Sequence, residues 1–487
     1  VAVPDTQQET AALLERLAGA PAIETHISLV FAGADTVWKL KKAVHLPFLD
    51  FTRVEDRHHF IARELELNAP AAPGLYRDVA PVVRGAEGLA LGGEGPVVDW
   101  VLRMARVPKG DFLDVMAANG RLTSARLDEV ADAVAAYHGR LSPRSGVVPP
   151  MRDIARGNAE SARAAGLPEP EIAAWLTAML SRLDGLSTWM NQRARAGFVR
   201  RAHGDLHLGN LCLWQDRPAP FDALEFDEAM ATIDLGYDLA FLLMDLDRRL
   251  DRGAANRVLN RYIARNGDVG LLRGLPAFLS MRAMIRAHVE ARTGHCDRAV
   301  GYLEAARAYL EPPAPRVIAI GGLPGTGKST LARALAPGIG AASGALVLRS
   351  DELRKRRFGV APEQRLPPDA YADAVSQGVF ADLFQAAADA VSAGHAVIAD
   401  ATFLDPAHRT AIAAAAGHVP FQGFWLQAPL PVLEARVGAR RGDASDATVE
   451  VLRRAAPSDP GPSDWTAIDA TDPDAALDAI RRAQNWK

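Results

Sequence analysis

Two cysteines, Cys212 and Cys296, are all that the 487 residues contain, too few for a disulfide framework or a cysteine-rich zinc site. Lysine is also scarce, seven residues against 48 arginines, so each lysine position carries weight. Aromatic residues make up 6%, which leaves most of the 49% apolar content to alanine, leucine and valine. Neither sign of charge dominates: a net charge of −4 argues against a general nucleic-acid coat protein. Long apolar runs are missing too. The longest uncharged stretch, 411–433, is broken by Pro420, Pro429 and Pro431 and carries Gln422 and Gln427, so it predicts helix, turn and strand and no membrane span. The first residues include Asp5 and Glu9 with no basic-then-apolar leader, which points to a cytoplasmic chain without a membrane partner.

What is present suffices for two or three domains with cores of their own. The clearest seam is Glu311-Pro-Pro-Ala-Pro315, where fixed proline φ angles make a stiff spacer. It predicts one domain over 1–312 and a second over 313–487. In the first, strands are expected at 27–31 and 36–41 around the turn 32–35, with an amphipathic helix at 53–68. Helices dominate 123–195, a second strand cluster falls at 211–214 and 220–226, and a helical stretch runs over 275–310. Strands first and helices last is an α+β pattern.

After the apolar 317–320 comes Gly322-Leu323-Pro324-Gly325-Thr326-Gly327-Lys328-Ser329-Thr330 and then helical residues. This is G-x-x-x-x-G-K-[ST] in the strand-to-helix setting the motif needs. Its glycines let backbone N–H groups turn around phosphate oxygens, Lys328 adds charge between the β- and γ-phosphates, and Ser329 supplies a hydroxyl to Mg²⁺. ATP and Mg²⁺ are the expected cofactors. Asp351 follows a second apolar strand, 345–348, and a carboxylate there can take a proton from an attacking hydroxyl while Arg354 holds the acceptor. A third strand, 396–399, ends in Asp400, an acidic partner for the Mg²⁺ shell. Arg436 and Arg440, four apart on a predicted helix, suggest a lid over transferring phosphate.

Residues 316–487 resemble the P-loop kinase group that includes polynucleotide 5′-kinases, zeta-toxin-like kinases and gluconate kinases. The resemblance implies Asp351 as base and Arg436 and Arg440 as γ-phosphate clamps. It leaves the acceptor open between sugars, nucleotide-sugars and a polynucleotide end.

In the first domain, His203-Gly-Asp205-Leu-His-Leu-Gly-Asn210 has the H-x-D-x₄-N spacing of a kinase catalytic loop. Asp205 is suited to orient and deprotonate a hydroxyl, and Asn210 to hold Mg²⁺. The segment resembles the aminoglycoside phosphotransferase and choline-kinase branch of the protein-kinase-like fold, over about 20–310. That resemblance implies a second metal carboxylate. Counting back from Asp238-Leu-Ala240 selects Glu225, the first choice; counting forward from Asn210 selects Asp222. It also implies a strand lysine paired with a helix glutamate. Lys39 is the first choice and Lys41 the second, on one face of Val37-Trp-Lys-Leu-Lys-Lys42, with Glu64 as partner. The only glycine in the expected nucleotide-covering hairpin is Gly33.

The expected architecture is thus a two-lobed, α+β protein-kinase-like domain followed by an α/β P-loop NTPase domain with a parallel sheet. The expected function is ATP-dependent phosphotransfer by both domains to a hydroxyl of a small molecule, a sugar-like one among the options. The alternative is a P-loop domain that alone turns over, with the first domain a regulatory or binding module. A polycationic aminoglycoside acceptor is disfavoured, because Arg248, Arg249, Arg252 and Arg257 crowd the chain after Asp247.

Overall fold

The computed structural model describes residues 3–46, 49–457 and 464–483. By packing it divides into two compact units, Val1–Pro149 with Met190–Leu242, and Pro150–Trp189 with Leu243–Lys487.

The first unit is built on a six-stranded antiparallel sheet in the order Ile23–Glu24, Ser28–Ala32, Thr36–Lys41, Val97–Ala105, Tyr76–Gly85, Gly88–Leu91. Period-two alternation splits its side chains between two cores. Leu29, Phe31, Leu40, Val82 and Val101 pack with Leu14 of the helix Gln8–Ala18 on one face. Leu102 points the other way and packs with Ile61 of the helix Val54–Asn68. Gly19, at φ +66°, ends the first helix in the left-handed conformation that glycine adopts without strain. After the helix Ser124–Arg140, capped by the Thr123 hydroxyl, the strand Val199–Arg201 pairs with Thr232–Asp234 and brackets the loop and hairpin between them. The hairpin pairs Leu211–Trp214 with Arg217–Pro220 through Gln215 and Asp216, both at positive φ. The strand expected over 220–226 therefore starts and stops earlier: Asp222 has φ +60°, which no strand can continue through.

In the second unit, the stretch expected to be helical over 275–310 is two helices, Leu275–Arg292 and Cys296–Ala308. Gly294, at φ +80°, separates them. The described strands of this unit form a five-stranded, all-parallel sheet in the order Leu346–Arg349, Val397–Asp400, Val317–Gly322, Phe421–Gln427, Thr466–Asp469. Its central strand is buried throughout, as expected for a parallel sheet covered on both faces. Register places Ile320 and Arg349 beside Asp400, so the loops carrying chemistry leave from one end of adjacent strands. Among the described residues no helix is long and apolar enough to cross a membrane.

Candidate active sites

In the first unit both candidate lysines are engaged. Lys39 Nζ lies 2.7 Å from Glu64 Oε1 and 2.5 Å from Asp222 Oδ1. Lys41 Nζ lies 2.6 Å from Glu64 Oε2 and pairs with Glu225. Glu64, fully buried on the helix Val54–Asn68, thus takes one lysine on each oxygen. Burial alone would lower the pKa of Lys39, but Asp222 and Glu64 outweigh it and hold the ammonium well above its usual range. Burial likewise pushes the Asp222 carboxyl up, and Lys39 more than offsets this, so it stands below the usual carboxylate value. Tyr76 Oη accepts from Asp222 N at 2.9 Å and helps hold the unusual backbone there.

The two acids left open by the sequence differ in surroundings. Glu225 is 5% exposed and faces Lys41, and burial raises its carboxyl above the usual range. The Asp222 side chain is 41% exposed and lines, with Lys39 and Asp205, a cavity of about 760 Å³. Asp222 is the carboxylate with room for a cation.

Asp205 and Asn210 are joined: Asn210 Nδ2 donates to Asp205 O at 2.9 Å and Oδ2 at 3.0 Å. The loop is braced from below by Asp238, which is fully buried. It accepts from His203 N and Gly204 N, each at 3.0 Å, and lies 3.1 Å from His138 Nε2. His203 is a brace as well, its Nε2 2.9 Å from Phe221 O, and burial lowers its pKa. Sequence reasoning missed this role of Asp238 and that of Tyr76. The turn that borders the cavity is 25–28, contributed by Thr25, His26, Ile27 and Ser28. Gly33 is not among the lining residues; its carbonyl accepts from Arg106 Nη1 at 2.9 Å.

In the second unit the loop 322–330 opens the helix Lys328–Leu335. Gly322 and Gly325 sit at φ +139° and +90°, and a Cβ on either would meet a backbone oxygen, Leu426 O at 2.6 Å or Leu433 O at 2.8 Å. Only glycine fits there. Leu323, Pro324, Thr326, Gly327 and Thr330 complete the turn; Thr326 Oγ1 donates to Leu323 O. Lys328 Nζ donates to Gly322 O and Leu323 O at 2.8 and 3.0 Å. Burial lowers its pKa against the opposing pull of Asp400 and Asp351. Ser329 Oγ donates to Asp400 Oδ2 at 2.5 Å, a hydroxyl and a carboxylate of the kind that Mg²⁺ favours.

Asp351 shares this cavity, about 740 Å³, with Lys328, Ser329, Asp400, Arg354, Arg436 and Arg440. Burial raises its carboxyl above the usual range, with Arg349 opposing. Arg354 donates to Ala370 O at 2.6 Å and Ser376 Oγ at 3.2 Å and lies 4.7 Å from the Tyr371 ring, while its buried Nε has no hydrogen-bond partner among the described residues. The arginine pair is not equivalent. Arg436 lies on the helix Leu430–Ala439 and donates to Ala470 O and Thr471 O, each at 2.8 Å. Arg440 stands one residue past the helix end in extended conformation, and its buried Nη1 has no hydrogen-bond partner among the described residues. Arg440 is the available cation and Arg436 a strap.

Arg349 is the hub the sequence did not reveal. It reaches Glu352 at 2.8 Å, Asp400 at 3.2 Å and Asp443 at 2.7 Å. These acids outweigh its burial and hold it well above its usual range. Arg349 in turn overcomes the burial of Asp443 and brings that carboxyl to about 2. Of the arginines after Asp247, Arg249 pairs with Asp245, Arg252 holds backbone carbonyls and Arg248 lies over the Tyr302 ring.

Residues 317–457 match the family described as AAA domain, AAA_33. Proteins of Mycobacterium tuberculosis and Mycobacterium bovis, both described as uncharacterized, are 28% identical over 449 residues, covering 88% of this chain and 88% of each relative. Among solved structures, a gluconokinase from Sinorhizobium meliloti 1021 covers 35% of this chain and 93% of its own at 21% identity, TM-score 0.25. A thermostable mutant of the aminoglycoside phosphotransferase APH(4)-Ia covers 62% and 98% at 13% identity, TM-score 0.39. The chain combines an α+β fold on an antiparallel sheet in its N-terminal part with an α/β fold on a parallel sheet towards its C-terminus, the part that holds the match to the AAA domain.

Proposed function

We propose that the protein is a bifunctional, ATP-dependent phosphotransferase with one site in each unit, each passing a γ-phosphoryl group to a hydroxyl of a small molecule. One observation carries this reading: each cavity joins a lysine, a carboxylate suited to Mg²⁺ and a second carboxylate suited to act as base. In the first these are Lys39, Asp222 and Asp205; in the second Lys328, Asp400 and Asp351. A binding module needs no hydroxyl-activating base, and neither does a nucleotide switch.

ATP with Mg²⁺ supplies the transferable phosphoryl group and neutralises its charge when bound. In the first site Lys39, held by Glu64, offers its charge to the phosphates, and Asp222 and Asn210 hold the metal. Asp205 orients the acceptor hydroxyl and takes its proton. In the second site the amides of 322–330 and Lys328 hold phosphate, and Ser329 and Asp400 hold the metal. Asp351 takes the proton, Arg354 orients the acceptor, and Arg440 stabilises the developing charge. The acceptor class we favour is a polyhydroxylated, sugar-like molecule, and the setting is the cytoplasm.

The test is phosphate transfer from Mg-ATP to a panel of sugars, nucleosides and aminoglycosides by the full chain. Asp205→Asn and Lys328→Ala are each expected to remove a separate part of the activity, and the double variant all of it. Activity that survives the double variant refutes the assignment of at least one site, and the single variants show which.

A further inference from the structure

The parallel sheet has an edge at Leu346–Arg349, the strand that leads into Asp351. Leu346 N donates inward, to Ala396 O at 2.9 Å. Alternation then turns the Val347 amide and the Ala345 carbonyl outward. Backbone groups at a covered edge must find partners or bear the cost of lost hydration. Among the described residues no sixth strand provides them. The helix Arg252–Asn266 does so with side chains. Val347 N donates to Asn260 Oδ1 at 2.6 Å, and Asn260 Nδ2 donates to Ala345 O at 3.2 Å. Asn256 Nδ2 donates to Ala345 O at 3.0 Å and to Ser343 O at 2.8 Å.

The loop before the strand is held by the same helix. Arg252 Nη2 donates to Gly340 O and Ala341 O at 2.5 and 2.7 Å. From the loop before the strand Val397–Asp400, His395 Nε2 lies 2.8 Å from Gly344 O. Gly344 sits at φ +88°, and a Cβ there would come within 2.7 Å of Asn256 Nδ2, so the close approach of helix and loop depends on glycine. Past this clamp, the strand delivers Arg349 to Asp400, which accepts the Ser329 hydroxyl, and then Asp351 to the same cavity.

We propose that Asn260 is a positioning residue of the P-loop site. Its side chain stands in for a neighbouring strand and fixes Leu346–Arg349, and through it Arg349 and Asp351, against Lys328 and Ser329. Asn256 and Arg252 hold the loop that precedes the strand. The inference rests on the reading of this cavity as a phosphotransfer site. It also implies that the working P-loop site includes a helix that precedes the proline seam at 311–315.

The test uses the full chain with Asp205→Asn, so that Mg-ATP hydrolysis reports the P-loop site. Asn260→Ala is expected to lower kcat about tenfold or more while the KM for Mg-ATP stays within about threefold, because misplacing a reacting group costs rate and the phosphate loop is untouched. Amide exchange at Val347 is expected to accelerate. Asn260→Asp keeps the acceptor for Val347 N, so it is expected to retain slow exchange there and turnover within about threefold. Wild-type turnover in Asn260→Ala overturns the inference, with or without faster exchange. So does loss of turnover in Asn260→Asp while Val347 stays protected; this comparison decides the matter if the alanine variant does not fold. Lys328→Ala in the same background separates the two claims: if it leaves hydrolysis intact, the phosphotransfer reading itself fails.

Discussion

Lys39 and Asp222 lie 183 positions apart in the chain, yet Lys39 Nζ sits 2.5 Å from Asp222 Oδ1. The contact sets Lys39 and Asp222 together at the cavity, which Glu225 also lines, and leaves Lys41 buried behind it, paired with Glu225.

The two pairs are expected to separate by experiment. Lys39→Ala and Asp222→Asn should each lower first-site phosphate transfer by about 10²-fold or more, since they remove charge at the transferring group. Lys41→Ala leaves Glu64 and Glu225 buried without their shared cation, so it should destabilise the unit by about 3–5 kcal/mol. Urea melts alongside transfer assays distinguish the outcomes. Equal loss of stability from Lys39→Ala and Lys41→Ala, with equal residual activity, would contradict the assignment.

Asp205→Asn should abolish first-site transfer and spare nucleotide affinity, because the residue meets the acceptor. Asn210→Ala should weaken Mg-ATP binding and, since Asn210 Nδ2 also bonds Asp205, lower turnover as well. Calorimetric titration with Mg-ATP in a Lys328→Ala background checks the split. A large affinity loss in Asp205→Asn would count against its role as base.

Asp351 gives a pH signature. Its carboxyl is raised by burial against the opposing effect of Arg349, and a base must be ionised to act. Transfer by the P-loop site should therefore fall on acidification at a higher pH than an ordinary carboxylate would dictate. Asp351→Asn should lower transfer by about 10²–10⁴-fold and remove that acidic limb. Arg354→Ala should mainly raise the acceptor KM. An unchanged pH–rate profile in Asp351→Asn would exclude it as the base.

His395 carries a second pH dependence, in stability. Burial lowers its pKa from 6.5 to about 4, with the Gly344 carbonyl opposing. A depressed folded value means the unfolded chain takes up the proton first. The stabilising effect is complete above the unfolded value of 6.5 and is lost as pH falls towards about 4, some 3 kcal/mol in all, roughly. Amide exchange in 340–347 should quicken across that window, and His395→Gln should flatten the dependence. Exchange that is equally pH-dependent in the variant would show that another group is responsible.

The sequence by itself determined everything that is local. The phosphate loop, the Asp205–Asn210 loop and the strand ends at Asp351 and Asp400 are short-range patterns, because glycine conformation, strand alternation and the reach of one helical turn are set within a few residues. Tertiary structure alone decided which partner each charged group meets. Asp222 and Glu225 are three positions apart and chemically alike, and counting from either side chose differently; the fold gives them different partners, Lys39 for Asp222 and Lys41 for Glu225. Arg436 and Arg440 likewise fit one helical face until the helix ends at Ala439 and Arg436 turns to the Ala470 and Thr471 carbonyls. Arg349 and Asn260 left no motif, because their work is to meet carboxylates and edge amides brought near by the fold of distant segments.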